Sequence, residues 1–193
     1  MKIAAIIALL LVPAIASAQD SVFAGRLSIA AVELTNDRVV YDPSYFSIDY
    51  PNGDVPAGKG VCTDVVIRAY RKLGIDLQKE VHEDMRAHFD LYPNIWGLSR
   101  TDRNIDHRRV PNLMKFFERH GEELPKSQNA SDYKPGDIVC WNLGGATTHI
   151  GIVVNKKSRD GERYLISHNI GNGQELSDCL FQYRIIGHYA FKN

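Results

Sequence analysis

The sequence is poor in several features that would each indicate a class of protein. Its 23 Lys and Arg residues are balanced by 23 Asp and Glu residues. This balance excludes the positive excess that is typical of nucleic-acid-binding domains, so no nucleic-acid partner is expected. Beyond residue 18, no apolar run has the length needed to cross a bilayer, and no integral membrane segment is expected in the mature chain. Internal repeats and low-complexity segments are also lacking.

Cysteine is scarce, and the number of cysteines is odd. Cys62, Cys140 and Cys179 leave at least one thiol without a partner inside the chain. A disulfide between Cys140 and Cys179 would leave Cys62 free, and the alternative is that Cys140 is simply buried in an apolar strand. In either case at least one thiol stays free, and its presence needs a functional explanation.

The first 18 residues have the character of a secretory signal peptide. Lys2 precedes an apolar run, which is followed by the small-residue sequence ASA at positions 16–18. We therefore predict a signal peptide at 1–18 and a mature chain at 19–193. That length suits one domain with a substantial core.

Helical periodicity dominates the first half of the mature chain. A first helix is predicted from a cap at Asp20 or Ser21 to about Leu34. Alternating apolar residues predict a short strand at 46–50, and glycines and prolines predict a loop at 51–60. Further helices are predicted at 62–73, 77–92 and 110–120.

The second half of the chain changes character. Apolar, β-branched and aromatic runs separated by turn sequences predict strands within 134–143, 148–155, 163–170 and 180–191. Short turns between them indicate an antiparallel sheet. Helices followed by strands indicate the α+β class, with the N-terminal helices, including the one that begins at Cys62, packed on the C-terminal sheet.

Cys62 is the candidate nucleophile because it begins a predicted helix. Unpaired amides and the positive end of the helix dipole stabilise a thiolate there, so a lowered pKa of Cys62 is expected. The same amides are candidates for an oxyanion hole. The alternative is a small buried core residue, which the polar and glycine-rich approach at 53–60 disfavours.

His149 is the candidate base because it begins the predicted strand HIGIVV after the loop GGATT. Antiparallel neighbours bring the start of one strand beside the end of the next, where His168 and Asn169 lie. Either residue could hold the far nitrogen of His149. His168 is preferred because it shares a strand face with Ile166. The alternative for His149 is a residue that only completes a turn.

Three motifs carry a family resemblance, and they are GVCTDVVIRAYRKLGIDLQ, PGDIVCW and HIGIVV. With a cysteine at a helix start and a histidine on the second sheet strand, the sequence resembles the NlpC-type cell-wall cysteine peptidases of the papain-like superfamily. Together with YPNGDVP and NIDHRRVPNLM, the motifs resemble an uncharacterised exported branch of that fold in Gram-negative bacteria. The resemblance covers most of the mature chain.

The resemblance implies a papain-like fold and a periplasmic hydrolase that cleaves an amide bond of peptidoglycan stem peptides or muropeptides. Cys62 would be the nucleophile, His149 the base and His168 the residue that orients it. Attack by the thiolate would form a thioester, which water then hydrolyses. No cofactor or metal is expected, and the protein is expected to be a monomer.

Five further residues are candidates for substrate binding: Tyr50, Asp64, Arg103, Asp106 and Asn169. Tyr50 is similar in position to the tyrosine that lines the nucleophile's pocket in the family. Arg103 and Asp106 belong to the charged segment 101–110, whose arginines suit the carboxylates of stem peptides. The alternative for this segment is a solvated, internally paired loop in which Asp106 caps the next helix.

Three other functions remain open at this stage. Val61 before the cysteine and Thr63 after it depart from the family pattern, which favours a non-catalytic wall-binding or partner-binding module. Transfer of an acyl group to an acceptor other than water would use the same residues. Cys62, His149 and His168 are zinc ligands by type, but their spacings are unlike any compact metal motif.

Overall fold

The computed structural model describes residues 12–191, with side chains from residue 20 onward. Most of the predicted signal peptide therefore lies outside the described residues. Within them, no helix combines the length and the apolar character needed to cross a bilayer.

Four α-helices form the first part of the described chain: α1 (Val12–Glu33), α2 (Cys62–Lys72), α3 (Leu77–Ala87) and α4 (Val110–His120). The predicted cap at Asp20 or Ser21 is wrong, because α1 continues N-terminally past both residues. The predicted start of α2 at Cys62 is confirmed, as is Pro111 in the first turn of α4.

Within residues 12–191, eight strands form two sheets. Val40–Tyr41 (β1) and Lys59–Gly60 (β2) make a short parallel pair. The remaining strands are β3 (Gly121–Glu123), β4 (Ile138–Gly144), β5 (Thr147–Lys157), β6 (Tyr164–His168), β7 (Glu175–Ser177) and β8 (Arg184–Phe191). They form one antiparallel sheet in the order β3-β8-β4-β5-β6-β7. The predicted α+β class is therefore confirmed.

The six-stranded sheet separates two apolar cores, because side chains alternate between its faces. Cys140, Ile150 and Ile152 point toward α1, α2 and α4. Trp141 and Val153 point to the other face, where the Trp141 indole Nε1 donates a hydrogen bond to the Leu180 carbonyl at 2.9 Å. Along β5, Ile150, Ile152 and Val154 therefore belong to the core on the helix side, and Val153 belongs to the other core.

The predicted strand at 46–50 is wrong. Phe46, Ile48 and Tyr50 are half-buried and alternate with exposed residues, which is the pattern that the sequence shows. No strand pairs with this segment within residues 12–191. The Ile48 amide instead donates to the Asn104 side chain at 3.1 Å.

The three cysteines are unpaired. Cys140 lies in the core between the sheet and the helices, whereas Cys179 lies in the core on the other face. The sheet separates the two sulfurs, and the alternative of an unpaired, buried Cys140 is the one that the structure adopts.

The docking of α1 on the sheet can be tested with two substitutions. Leu27→Ala should lower the free energy of unfolding by about 2–5 kcal/mol, because Leu27 is fully buried in the core against the sheet. Ile29→Ala is the matched control on the same helix, since Ile29 is 50% exposed. It should change stability by less than about 0.5 kcal/mol. Denaturant unfolding measures both, and equal effects would contradict this docking.

Candidate active site

Cys62 is a buried thiol at the first position of α2, with 6% of its surface exposed. Burial raises the pKa of the Cys62 thiol to about 11, and the Asp64 carboxylate acts in the same direction. The backbone amides of Ile150, Thr63 and Cys62 itself are directed at the sulfur and oppose this rise. The expected lowering of the pKa is therefore wrong for this conformation, because desolvation outweighs the amides.

A cleft of about 230 Å³ opens beside Cys62. Its walls come from the segment before α2, the loop between α3 and α4, the start of α4 and the start of β5. The lining residues are Tyr41, Pro43, Val61, Cys62, Trp96, Ile105, Arg108, Arg109, Val110, Pro111 and Thr148. Cys62 is therefore part of the wall of an open cleft.

His149 and His168 form a close pair on adjacent antiparallel strands. The His149 Nε2 atom lies 2.8 Å from the His168 Nδ1 atom, and the ring planes are inclined at 74°. Burial lowers the pKa of both imidazoles, and the pKa of His149 falls to about 3 with a further contribution from His168. Both rings are therefore neutral at neutral pH. The structure pairs His149 with His168 and not with Asn169.

The thiol and the imidazole lie on opposite sides of β5. Ile150 points into the same core as Cys62, whereas His149 points to the other face, with its ring centroid 5.8 Å from that of Trp141. Among residues 20–191, no hydrogen bond joins the Cys62 sulfur to the His149 ring. The Ile150 amide is directed at the sulfur, and Ile150 follows His149 in the chain, so the backbone of β5 connects the two groups.

The second nitrogen of His149 is available. In the described part of the chain, Nδ1 of His149 has no hydrogen-bond partner. It is also not among the polar side-chain atoms there that lack both a partner and contact with solvent. This nitrogen therefore keeps access to solvent, although the residue as a whole is only 3% exposed. A neutral imidazole with a free Nδ1 can accept a proton there if Nε2 carries the hydrogen.

Asp64 has a structural role in place of the predicted contact with substrate. Its side chain is 3% exposed and forms a two-pronged ion pair with Arg108, with Oδ1 to Nε at 3.0 Å and Oδ2 to Nη2 at 3.1 Å. Oδ2 also accepts the Val61 amide at 2.7 Å, which caps α2. The carboxylate is therefore fully occupied within the protein.

Asp106 is likewise committed to the fold. Its buried carboxylate accepts the Asp102 amide and pairs with Arg109 Nη1 at 3.1 Å. It does not cap α4, which is preceded by Arg109. Burial raises the pKa of Asp106. Neither the predicted substrate contact nor the alternative cap is found, because this side chain instead closes the loop that begins at Asp102.

Tyr50 and Arg103 do not line the cleft. The Arg103 guanidinium lies 5.8 Å over the Tyr50 ring, and the other neighbour of that ring is His82, at 5.2 Å between centroids. The tyrosine beside the thiol is Tyr41, whose pKa is raised by burial and by the nearby Cys62. The structure therefore places Tyr41, and not the predicted Tyr50, beside the thiol.

Asn169 holds a turn and does not face the cleft. Its Nδ2 donates to the Gly60 carbonyl at 3.3 Å, and its Oδ1 accepts the Gly171 and Gly173 amides at 3.1 and 3.3 Å. These bonds attach the turn after β6 to the segment that leads into Cys62. Asn169 is fully buried, and its contribution is to the position of α2.

Sequence reasoning missed Tyr41, Trp96 and Arg109. Trp96 lies in the loop between α3 and α4, and the Arg109 guanidinium stacks over its ring at 4.1 Å. No periodic pattern marks a loop residue such as Trp96 or a residue of a two-residue strand such as Tyr41. The charged segment 101–110 indicated that its arginines are candidates for binding, but it did not indicate which residues they contact.

Residues 20–191 contain no group of three or more His, Cys, Asp or Glu side chains placed to hold a metal ion. The structure thus provides no support for the alternative of a zinc site built from Cys62, His149 and His168.

The fold and site define an α+β domain with a thiol at a helix start and a histidine pair on the sheet. The chain belongs to the family described as Domain of unknown function (DUF1287), whose model matches residues 28–191. It is 54% identical over 168 residues to Uncharacterized protein YijF of Escherichia coli (strain K12), a match that covers 86% of this chain and 82% of that protein. No solved structure shows significant similarity to the chain.

The raised pKa of Cys62 predicts a steep pH dependence of alkylation. Because only the thiolate reacts, the rate should rise about tenfold for each pH unit from pH 7 toward the pKa of about 11. Iodoacetamide labelling of the folded protein, read for each cysteine by peptide mass spectrometry, measures this. A plateau already below pH 8 would mean that the helix amides outweigh burial. Cys62→Ser should lose this label and no other.

The Asp64–Arg108 pair predicts strong coupling between two substitutions. Arg108→Met should lower the free energy of unfolding by about 3–5 kcal/mol, because it leaves a buried carboxylate uncompensated. Adding Asp64→Asn should restore part of that loss. Arg103→Met is the matched control, since Arg103 is an exposed arginine of the same segment. Additive losses in the double variant would contradict the pairing.

Proposed function

We propose that this protein is an exported cysteine hydrolase that cleaves an amide bond, with peptidoglycan stem peptides as its substrate class. The observation that carries the proposal is the position of Cys62. Cys62 lies at the start of α2 and in the wall of a cleft, and three backbone amides are directed at its sulfur. One of these amides belongs to Ile150, the residue that follows His149, and His149 pairs with His168.

The amides around Cys62 support a nucleophilic role. The N–H groups of Cys62 and Thr63, at the start of α2, are directed at the sulfur and favour its anionic form, which is the attacking species. The Ile150 amide approaches the same sulfur from the sheet. Donors from two separate elements converge on one sulfur, an arrangement that a thiol kept only to fill the core does not need.

The proposed reaction uses neutral groups in its resting state. His149 takes the thiol proton on Nδ1 as the sulfur attacks the amide carbonyl, and it then gives that proton to the leaving amine. Water hydrolyses the thioester and releases the acid. His168 holds Nε2 of His149 throughout. Because the two side chains lie on opposite sides of β5 in this structure, the first step requires a conformational change that brings the thiol and the imidazole together.

The order of elements supports the finer assignment of the fold. A nucleophile helix followed by an antiparallel sheet, with the base on the second long strand and its partner on the third, is the order of NlpC-type enzymes of the papain-like superfamily. That resemblance, with the predicted signal peptide, also supports a periplasmic location. The cleft contributes Arg109, held by Asp106 and stacked on Trp96, which suits a substrate that carries carboxylates.

A second candidate function is a non-catalytic binding module on the same fold. It is favoured by the raised pKa of Cys62 and the lowered pKa of His149, which both disfavour the thiolate–imidazolium pair in this conformation. Such a module would bind purified sacculi while Cys62 stays slow to alkylate at neutral pH. Removal of Cys62 would then leave binding unchanged.

Hydrolysis can be tested directly on muropeptides. Cys62→Ala and His149→Ala should each lower the cleavage rate by at least about 100-fold, because one removes the nucleophile and the other the base. His120→Ala is the matched control, since His120 is a half-exposed histidine that pairs with Asp84 outside the cleft. Its rate should match that of the wild-type protein.

The product analysis of the same assay separates the remaining possibilities. Mass spectrometry of cleaved stem peptides should show the gain of one water. A product that gains an amine or an alcohol would indicate acyl transfer. Cleavage by Cys62→Ala at the wild-type rate, with folding verified by thermal unfolding, would exclude Cys62 as the nucleophile.

A further inference from the structure

The far side of His168 carries two groups that the proposed mechanism does not use. The His168 Nε2 atom lies 3.8 Å from the Cys179 sulfur and 3.9 Å from the Glu175 Oε1 atom. His168 and Glu175 are cross-strand partners of β6 and β7, so the backbone register holds the two side chains on one face of the sheet. His149, His168 and Glu175 thus form a line across three strands.

We infer that Glu175 is a positioning residue that selects the tautomer of His149 through His168. The inference deepens the proposed function and rests on it for its catalytic meaning. A carboxylate only accepts hydrogen bonds, so it favours the His168 tautomer with hydrogen on Nε2. His168 Nδ1 then accepts from His149 Nε2, and His149 Nδ1 is left without hydrogen.

The neighbouring thiol favours the opposite arrangement. A Cys179 thiol that donates to His168 Nε2 would place hydrogen on His168 Nδ1, which would donate to His149 Nε2. His149 would then carry its hydrogen on Nδ1 and could not accept a proton there. The two neighbours of His168 therefore select between a His149 that can act as a base and one that cannot.

The carboxylate is the stronger partner. Interactions of ionised groups are about twice as strong as those of neutral groups, and a thiol is a weak donor. Glu175 also raises the pKa of His168, which is the direction expected when a carboxylate faces the imidazole. At 3.9 Å the contact is electrostatic and not a direct hydrogen bond.

No other acid competes for this position in the described part of the chain. Asp178, the next acid along the chain, is held by Arg163 in two contacts at 2.6 and 2.7 Å. Glu175 makes no other ion pair within residues 20–191, and its side chain is 37% exposed. It is therefore free to approach His168.

The tautomers can be measured in the absence of any substrate. Two-bond ¹H–¹⁵N correlation spectra of the ¹⁵N-histidine-labelled mature protein at pH 8 identify which nitrogen of each ring carries hydrogen. The wild-type protein should show His149 and His168 both with hydrogen on Nε2. Glu175→Leu should shift more than half of His149 to the form with hydrogen on Nδ1. An unchanged His149 tautomer in Glu175→Leu would overturn the inference.

Three controls make the result specific. Glu175→Gln should keep the wild-type tautomer, because its amide oxygen still accepts. Cys179→Ala should also keep it, since it removes only the competing donor. Glu123→Leu, on another strand of the same sheet, should have no effect because Glu123 pairs with Lys126. A shift in Glu123→Leu equal to that in Glu175→Leu would indicate a general effect of the sheet and would overturn the inference.

The activity assay separates this inference from the proposed function. Glu175→Leu should lower kcat for muropeptide cleavage by about tenfold with KM unchanged, and Glu175→Gln should restore most of it. If the spectra change as expected but the wild-type protein cleaves nothing, the proposed function fails and the tautomer selection stands. If cleavage depends on Cys62 and His149 but the spectra ignore Glu175, the inference alone fails.

Discussion

The buried ion pair between Asp64 and Arg108 is the contact on which the geometry of the site depends. It joins the first turn of α2 to the segment that leads into α4, and Thr63 Oγ1 donates to the Arg108 carbonyl at 3.2 Å across the same junction. Arg108 Nη1 also donates to the Ser44 carbonyl at 3.1 Å, which adds the segment after β1. Three walls of the cleft are thus held by one guanidinium. Burying such a pair is costly in desolvation, so its value here lies in fixing the positions of the walls.

Burial is the second constraint, and it acts on the chemistry. A helix start directs amides at the Cys62 sulfur, but exclusion of water penalises the thiolate more than the amides stabilise it. The same exclusion keeps His149 and His168 neutral. In this conformation the site therefore holds a neutral Cys62 thiol and a neutral His149 imidazole. Charge separation therefore needs a change in their surroundings.

The pleat of β5 explains why the thiol and the imidazole lie on opposite faces of the sheet. Successive residues of a strand point to opposite faces, so Ile150 enters the core with Cys62 while His149 joins Trp141. His149 is consequently fixed by the sheet through His168, and Cys62 is fixed by the helix. Because His149 is held from the sheet, groups such as Glu175 can influence which of its nitrogens carries hydrogen. These groups do not contact the thiol.

Local sequence patterns determined the starts of the helices at 62, 77 and 110, the four long strands and the α+β class, because the periods 3.6 and 2 depend only on which face is buried. The predicted end of the second of these helices at 92 is wrong, since the helix ends at Ala87. The patterns also indicated His168 as the partner of His149, since hairpin geometry relates neighbouring strands. The segment 46–50 shows the limit of this reasoning. Its burial alternates as in a strand, but a strand also requires a hydrogen-bonded neighbour, which the period does not encode.

Only the tertiary structure decided which side chains surround Cys62. Tyr41, Trp96 and Arg109 reach the cleft from loops and short elements, and Asp64 is withdrawn from it by Arg108, a residue 44 positions away in the chain. The pKa of the thiol was decided at the same level. A sequence shows that a cysteine begins a helix, but the amount of water that surrounds its sulfur depends on how distant segments pack over it.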